Sequence, residues 1–179
     1  MFSVVVFLCL ESWAEKPLKK VRPEAEAEAH FLKKDRAQAS TVLLESIKKL
    51  GPTSEKRKQL SRQLDQFLEM FYTEAAQKIY EQGNSLYAKE PALALEKFEE
   101  AKRLEPDNVL VLENIARLNI HSKSCGKASE ELKPVLKLNP YRQNALVLML
   151  KAFECSGDLA EAEKFYTTGA PWRLEIHKF

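Results

Sequence analysis

Glycine is scarce in this chain, with 5 in 179 residues. So few cannot serve the tight turns on which all-β architectures depend, and the abundance of Glu, Lys, Leu and Ala favours helices instead. A nearly all-α protein is expected. An excess of one charge is also missing. The formal net charge is +2, and Lys and Arg alternate with Glu along most segments without forming one dense block, so nucleic acid is not an expected partner. Lys19, Lys20 and Arg22, with Lys56, Arg57 and Lys58, leave nucleic-acid binding as the weakest alternative. With 45% hydrophobic and 30% charged residues, the composition excludes the disordered class and suffices for one core.

Signatures of catalysis are lacking as well. There is no Gly-rich phosphate loop, no pair of His in metal-ligand spacing and no serine elbow, and His30, His121 and His177 lie far apart. Glu99 with Glu100, and Glu130 with Glu131, are adjacent along helical stretches and point in different directions, so neither forms an acid/base pair. The expectation is a non-catalytic protein with no cofactor and no metal.

The apolar run from Val4 to Leu10 is too short to cross a bilayer as a helix. Ser12 and Ala14, on either side of Trp13, follow it at the spacing that signal peptidase accepts. This predicts a signal peptide over residues 1–14, a mature start at Glu15 and export to the periplasm or cell envelope. No Lys or Arg precedes the run, so an uncleaved N-terminal anchor is the alternative. Leu8 stands where lipid attachment at Cys9 needs a small residue. Membrane contact is expected only through this segment or through a partner.

Residues 15–23, with two prolines and four basic side chains, read as a solvated linker. From Glu24 onward Leu32, Arg36, Ala39, Leu43, Ile47 and Leu50 fall three or four residues apart, forming one helical stripe that Gly51 and Pro52 end. Thr53 or Ser54 can cap the next helix. Leu60, Leu64, Phe67, Phe71, Ala75, Ile79 and Leu86 then continue a stripe without proline. Residues 54–88 therefore read as one long helix or as two helices with a small kink. The region 24–74 is a helical cap or a degenerate repeat, and Phe67, Leu68, Phe71 and Tyr72 offer a wide apolar face suited to self-association.

A period emerges further on. Ala94, Ala128 and Ala162 are spaced by 34 residues, each opening the apolar face of a predicted helix, and Pro106 and Pro140 keep the same step. In this the chain resembles the tetratricopeptide repeat family, whose unit is a 34-residue pair of antiparallel helices with small residues at their crossing and a proline after the second. Ile79, Gly83, Leu86, Ala94, Phe98, Ala101 and Pro106 carry the first unit, whose turn is one residue short. Leu112, Ile115, Ala116, Ala128, Leu132, Val135 and Pro140 carry the second. Leu146, Met149, Phe153, Ala162 and Tyr166 carry the third, with Gly157 and Asp158 in its turn. The units span residues 75–108, 109–142 and 143–170.

The resemblance implies an all-α fold, a right-handed superhelix of antiparallel helix pairs whose first helices line a concave groove. That groove is expected to hold Tyr80, Asn84 and Tyr87 from the first unit, Glu113, Arg117, Ile120 and His121 from the second, and Val147, Lys151 and Glu154 from the third. Tyrosines offer rigid apolar area with a polar tip, and Arg117 with Lys151 can hold carboxylates, so the implied ligand is a peptide or helix of a partner protein. Some family members grip a C-terminal carboxylate through two asparagines and several basic residues. Asn84 and Asn114 match the asparagines, whereas Tyr80, Asn144 and Leu148 stand at the basic places, which argues against that clamp.

The implied geometry also brings Cys125, opening one unit's second helix, near Cys155, closing the next unit's first helix; a disulfide and two unlinked thiols both stay open. Gly169, Ala170 and Pro171 end the last helix. The tail, 171–179, alternates Trp172, Leu174 and Ile176 with Arg173, Glu175 and His177, either capping the stack or adding a strand to a partner. Leader and repeats together imply an exported scaffold or adaptor in a cell-envelope complex, with an accessory or regulatory subunit of an envelope enzyme as the alternative.

Overall fold

The computed structural model describes residues 22–168. The readings made for the leader, for most of the linker and for the tail lie outside these residues. Among the described residues there is no strand, and the expected all-α architecture is observed. The helices are α1 (Pro23–Leu32), α2 (Arg36–Lys48), α3 (Glu55–Glu69), α4 (Glu74–Leu86), α5 (Pro91–Leu104), α6 (Val109–His121), α7 (Cys125–Leu138), α8 (Gln143–Ser156) and α9 (Leu159–Thr168).

Local chemistry sets many of the helix ends. Asp35 accepts from the Gln38 amide at 3.0 Å to start α2, and Asn108 accepts from the Leu110 amide at 3.1 Å to start α6. Pro91 opens α5 where a missing N–H costs nothing. Gly157, at φ 75°, closes α8 in the left-handed conformation that glycine adopts most readily.

The helix expected from Glu24 is divided, and of the two readings of residues 54–88 two helices are observed, with a full break in place of a small kink. The stripe from Glu24 to Leu50 breaks between α1 and α2, where Lys34 takes φ 61° and Asp35 begins a new helix. Its apolar spacing persists across the break because both helices bury their faces in the same core, with Phe31, Ala39 and Leu43 all buried. The second stripe breaks between α3 and α4, where Met70 is extended at φ −66° and ψ 135°. Distant side chains satisfy the backbone there. Arg36 donates to the Phe67 carbonyl at 3.0 Å and to the Met70 carbonyl at 2.6 Å. Glu105 accepts from the amides of Tyr72 and Thr73 at 2.8 and 2.9 Å. Tertiary contacts thus replace the bonds that a continuous helix would have made.

Helix α4 packs on α5, α6 on α7 and α8 on α9, while contacts of α5 with α6 and of α7 with α8 join the pairs into a solenoid. Ala94 and Ala128 are fully buried, as small residues at helix crossings must be. Gly83 meets the Phe98 ring so closely that an added Cβ would lie 2.6 Å from Cε1. Helices α1–α3 pack on one another, and α3 and α2 then dock on α6 and α7.

Helix α6 is consequently shared between two apolar clusters. Val109, Leu112 and Ala116 face a large one with α1–α3, α7 and α8, whereas Val111, Ile115 and Leu118 face a small one with α4 and α5. The apolar face read as suited to self-association is used within the molecule. Phe67 and Leu68 are buried in the large cluster, Phe71 packs on the small one, and the Tyr72 ring lies 4.3 Å from the Arg36 guanidinium.

Candidate protein-binding groove

The first helices of the three pairs, α4, α6 and α8, contribute a continuous ladder of polar side chains. Asn114 of α6 donates to the Tyr80 hydroxyl at 3.1 Å and to the Asn84 side-chain oxygen at 3.2 Å, tying α6 to α4. Arg117, one turn on, donates to Asn114 Oδ1 at 2.6 Å and reaches Asn144 Oδ1 of α8 at 3.5 Å. Asn144 in turn donates to Glu113 at 2.6 Å. The Tyr80 ring is fixed from behind by Phe71 and Phe98, with centroids 5.1 and 5.5 Å away.

The expected groove residues do not all reach the surface. Tyr80, Asn84 and Arg117 are joined by this ladder, and Tyr87 lies half-buried beside Phe98. His121, Val147, Lys151 and Glu154 are exposed. Ile120 is half-buried and packs against the large cluster. Glu113 is a correction: it is 2% exposed and engaged by Arg142 through Nε to Oε1 and Nη2 to Oε2, the latter at 3.0 Å. A bidentate guanidinium saturates this carboxylate, so it cannot face a partner.

Asn114, Asn144 and Arg142 were absent from the expected groove set. A signal for Arg142 does exist in the period, because it stands 34 residues after Asn108, in the equivalent turn. That turn is gripped by α3. Arg142 Nη1 reaches Glu69 at 2.9 Å and Asp65 at 3.3 Å, and Asn139 donates to Asp65 at 3.1 Å. Burial works against the Arg142 charge, but its bonds to Glu113 and Glu69 outweigh this and raise its pKa further. Burial raises the Asp65 carboxyl above its ordinary value; Arg142 opposes the shift and Glu69 adds to it.

The preceding turn, between α5 and α6, is gripped with the opposite polarity. Fully buried Arg36 of α2 pairs there with Glu105 at 3.3 Å and with Asp107. At the opposite end of α8 a disulfide joins Cys125 and Cys155, whose Cα atoms are 5.7 Å apart, and it ties α7 to α8. Among the described residues no helix is long and apolar enough to cross a membrane, and no three or more His, Cys, Asp or Glu gather as metal ligands would.

The sequence model of the family described as bacterial transcriptional activator domain, BTAD, matches residues 66–171, more than half of the chain. These residues run from the last turn of α3 through α9. No curated protein and no solved structure matches the chain.

Proposed function

The chain belongs to the bacterial transcriptional activator domain family, and from that membership and the groove geometry we propose that it is a non-catalytic module holding a peptide or helix of a partner protein across α4, α6 and α8. The observation that carries this reading is Arg117. Its acceptors, Asn114 and Asn144, are neutral amides supplied by α6 and α8. The guanidinium is held in place, and among the described residues no carboxylate pairs with it directly. Such a group is pre-oriented for a carboxylate on the partner. Exposed Lys151 adds a second cation on this face, and the half-buried Tyr80 and Tyr87 add rigid aromatic area.

Affinity capture with the full chain, compared with Tyr87→Ala, Arg117→Ala and Lys151→Ala combined, tests this. A partner held by the native chain and lost by a variant of unchanged circular dichroism supports the groove. Equal capture by both moves the site away from these residues. Capture by neither removes the scaffold reading.

The leader expected over residues 1–14 favours an envelope setting, in which the module scaffolds an exported complex or serves as the accessory subunit of an enzyme there. The family description favours a transcription-related setting. Cell fractionation with N-terminal sequencing separates the two. A mature chain starting at Glu15 in the periplasmic fraction supports export, while an intact chain co-purifying with transcription proteins supports the other. A steep salt dependence of binding to DNA would bring nucleic acid back as a partner.

A further inference from the structure

We infer that the cavity between α3 and the α7–α8 turn receives a basic side chain of the partner segment held in the groove. The inference rests on the groove reading, because cavity and groove meet at Asn144, which lines the first and accepts from Arg117 of the second. The cavity has a volume of about 360 Å³, with Ile47 and Leu64 lining its apolar part, Tyr141 as an aromatic wall, and Asp65 and Glu69 as carboxylates. A long aliphatic stem ending in a cation finds both kinds of partner in this lining, apolar surface for the stem and carboxylates for the charge.

Charge decides the sign of the occupant. The buried Arg142 uses Nε and Nη2 on Glu113, which leaves only Nη1 to serve both Asp65 and Glu69. Three carboxylates therefore share one guanidinium. The other cation of the lining, Arg57, lies over the Tyr141 ring at 5.7 Å and donates to the Leu50 carbonyl at 3.3 Å. Asp65 and Glu69 keep 45% and 43% of their side chains exposed, so both can accept further bonds. An anionic side chain would meet these two carboxylates at the rim, whereas a guanidinium or ammonium would relieve them. A partner segment would thus place an acidic group at Arg117 and a basic one beyond Asn144.

Butylguanidinium, an arginine side chain lengthened by one methylene and without its backbone, is the probe. Titrated into the ¹⁵N-labelled full chain, it is expected to shift the amides around Asp65, Tyr141 and Asn144 with a dissociation constant on the order of 10 mM. Butyrate at matched ionic strength should leave those amides unmoved. Asp65→Asn with Glu69→Gln should weaken the response at least about tenfold. Ser61→Lys, one turn before Asp65 in α3, supplies a cation from the chain itself and should do the same without removing a native bond of Arg142. If the first variant unfolds, the second decides.

No shift with butylguanidinium, an equal response to butyrate, or an unaltered response in the folded variants would overturn the proposal. Capture through Arg117 together with an unresponsive cavity would keep the groove and discard this pocket. A responsive cavity with no captured partner would overturn the assignment to a partner side chain.

Discussion

The two apolar clusters that meet on α6 are built on different scales. The larger takes 20 buried residues from α1–α3 and α6–α8, and the smaller takes 6 from α5 and α6 with α4 adding only partly buried side chains, so α4 and α5 are the elements expected to open first. The proposed groove straddles this difference. Tyr80, Asn84 and Tyr87 ride on the weakly supported pair, while Val147 and Lys151 ride on α8, which the larger cluster anchors. A partner spanning both would stabilise α4 and α5 most, because linkage favours whichever state it binds.

The largest expected effect breaks the connection between the clusters. Arg36→Met leaves Glu105 buried and without its cation, and it is expected to cost about 3–5 kcal/mol in denaturant unfolding. It should also split the transition, as α4 and α5 lose the hub that couples them to α2. Reduction of Cys125–Cys155 acts on the large cluster alone. With the two residues 30 apart in sequence, loss of the bond should cost about 2–4 kcal/mol, checked by denaturant unfolding with and without reductant alongside thiol counting.

Gly83→Ala weakens the small cluster alone. The added methyl would collide with Phe98, and the expected cost is about 1–3 kcal/mol. Hydrogen exchange should rise in α4 and α5 while α2 and α3 hold; a uniform rise would show that the two clusters melt as one.

Smaller effects sharpen the contrast. The Asp65 pKa is raised in the folded state, so its contribution to stability is fully present below the ordinary value of 3.8 and is lost as pH rises through the higher native value. The stability difference between the native chain and Asp65→Asn should therefore decline as pH rises from 3.8, a trend that melting curves across pH can follow. Lys133→Ala, at an exposed pair with Glu130 on α7, should change stability by no more than about 0.5 kcal/mol.

What the sequence made legible is what repeats or what acts locally. Ala94 and Ala128 mark buried crossings because every helix pair must solve the same steric problem, and the alternation of apolar residues locates helix faces reliably. Ala162 follows the period yet is only partly buried, since α9 is the last described helix of the stack. The break at Lys34 was hidden, and the one at Met70 stayed open between one helix and two, because it is stabilised by Arg36 and Glu105, which are remote from it in sequence. Glu113 was misplaced for a related reason. Helical spacing puts it on the groove face, but nothing in that spacing tells that a guanidinium 29 residues onward would close over it.

The opposed charges of the two gripped turns carry a further consequence. A periodic solenoid presents nearly the same edge at every repeat, so an element docked along it could slip by one unit and still bury apolar surface. Here slippage would be punished: 34 residues after Glu105, Asp107 and Asn108 stand Asn139, Tyr141 and Arg142, so Arg36 moved one unit along would lose both carboxylates and gain a cation beside it. Asp65 and Glu69 would leave Arg142 at the same moment. The reversed polarity keys α1–α3 to a single seat, a register lock of the kind that repetitive structures need when their apolar surfaces alone cannot tell one repeat from the next.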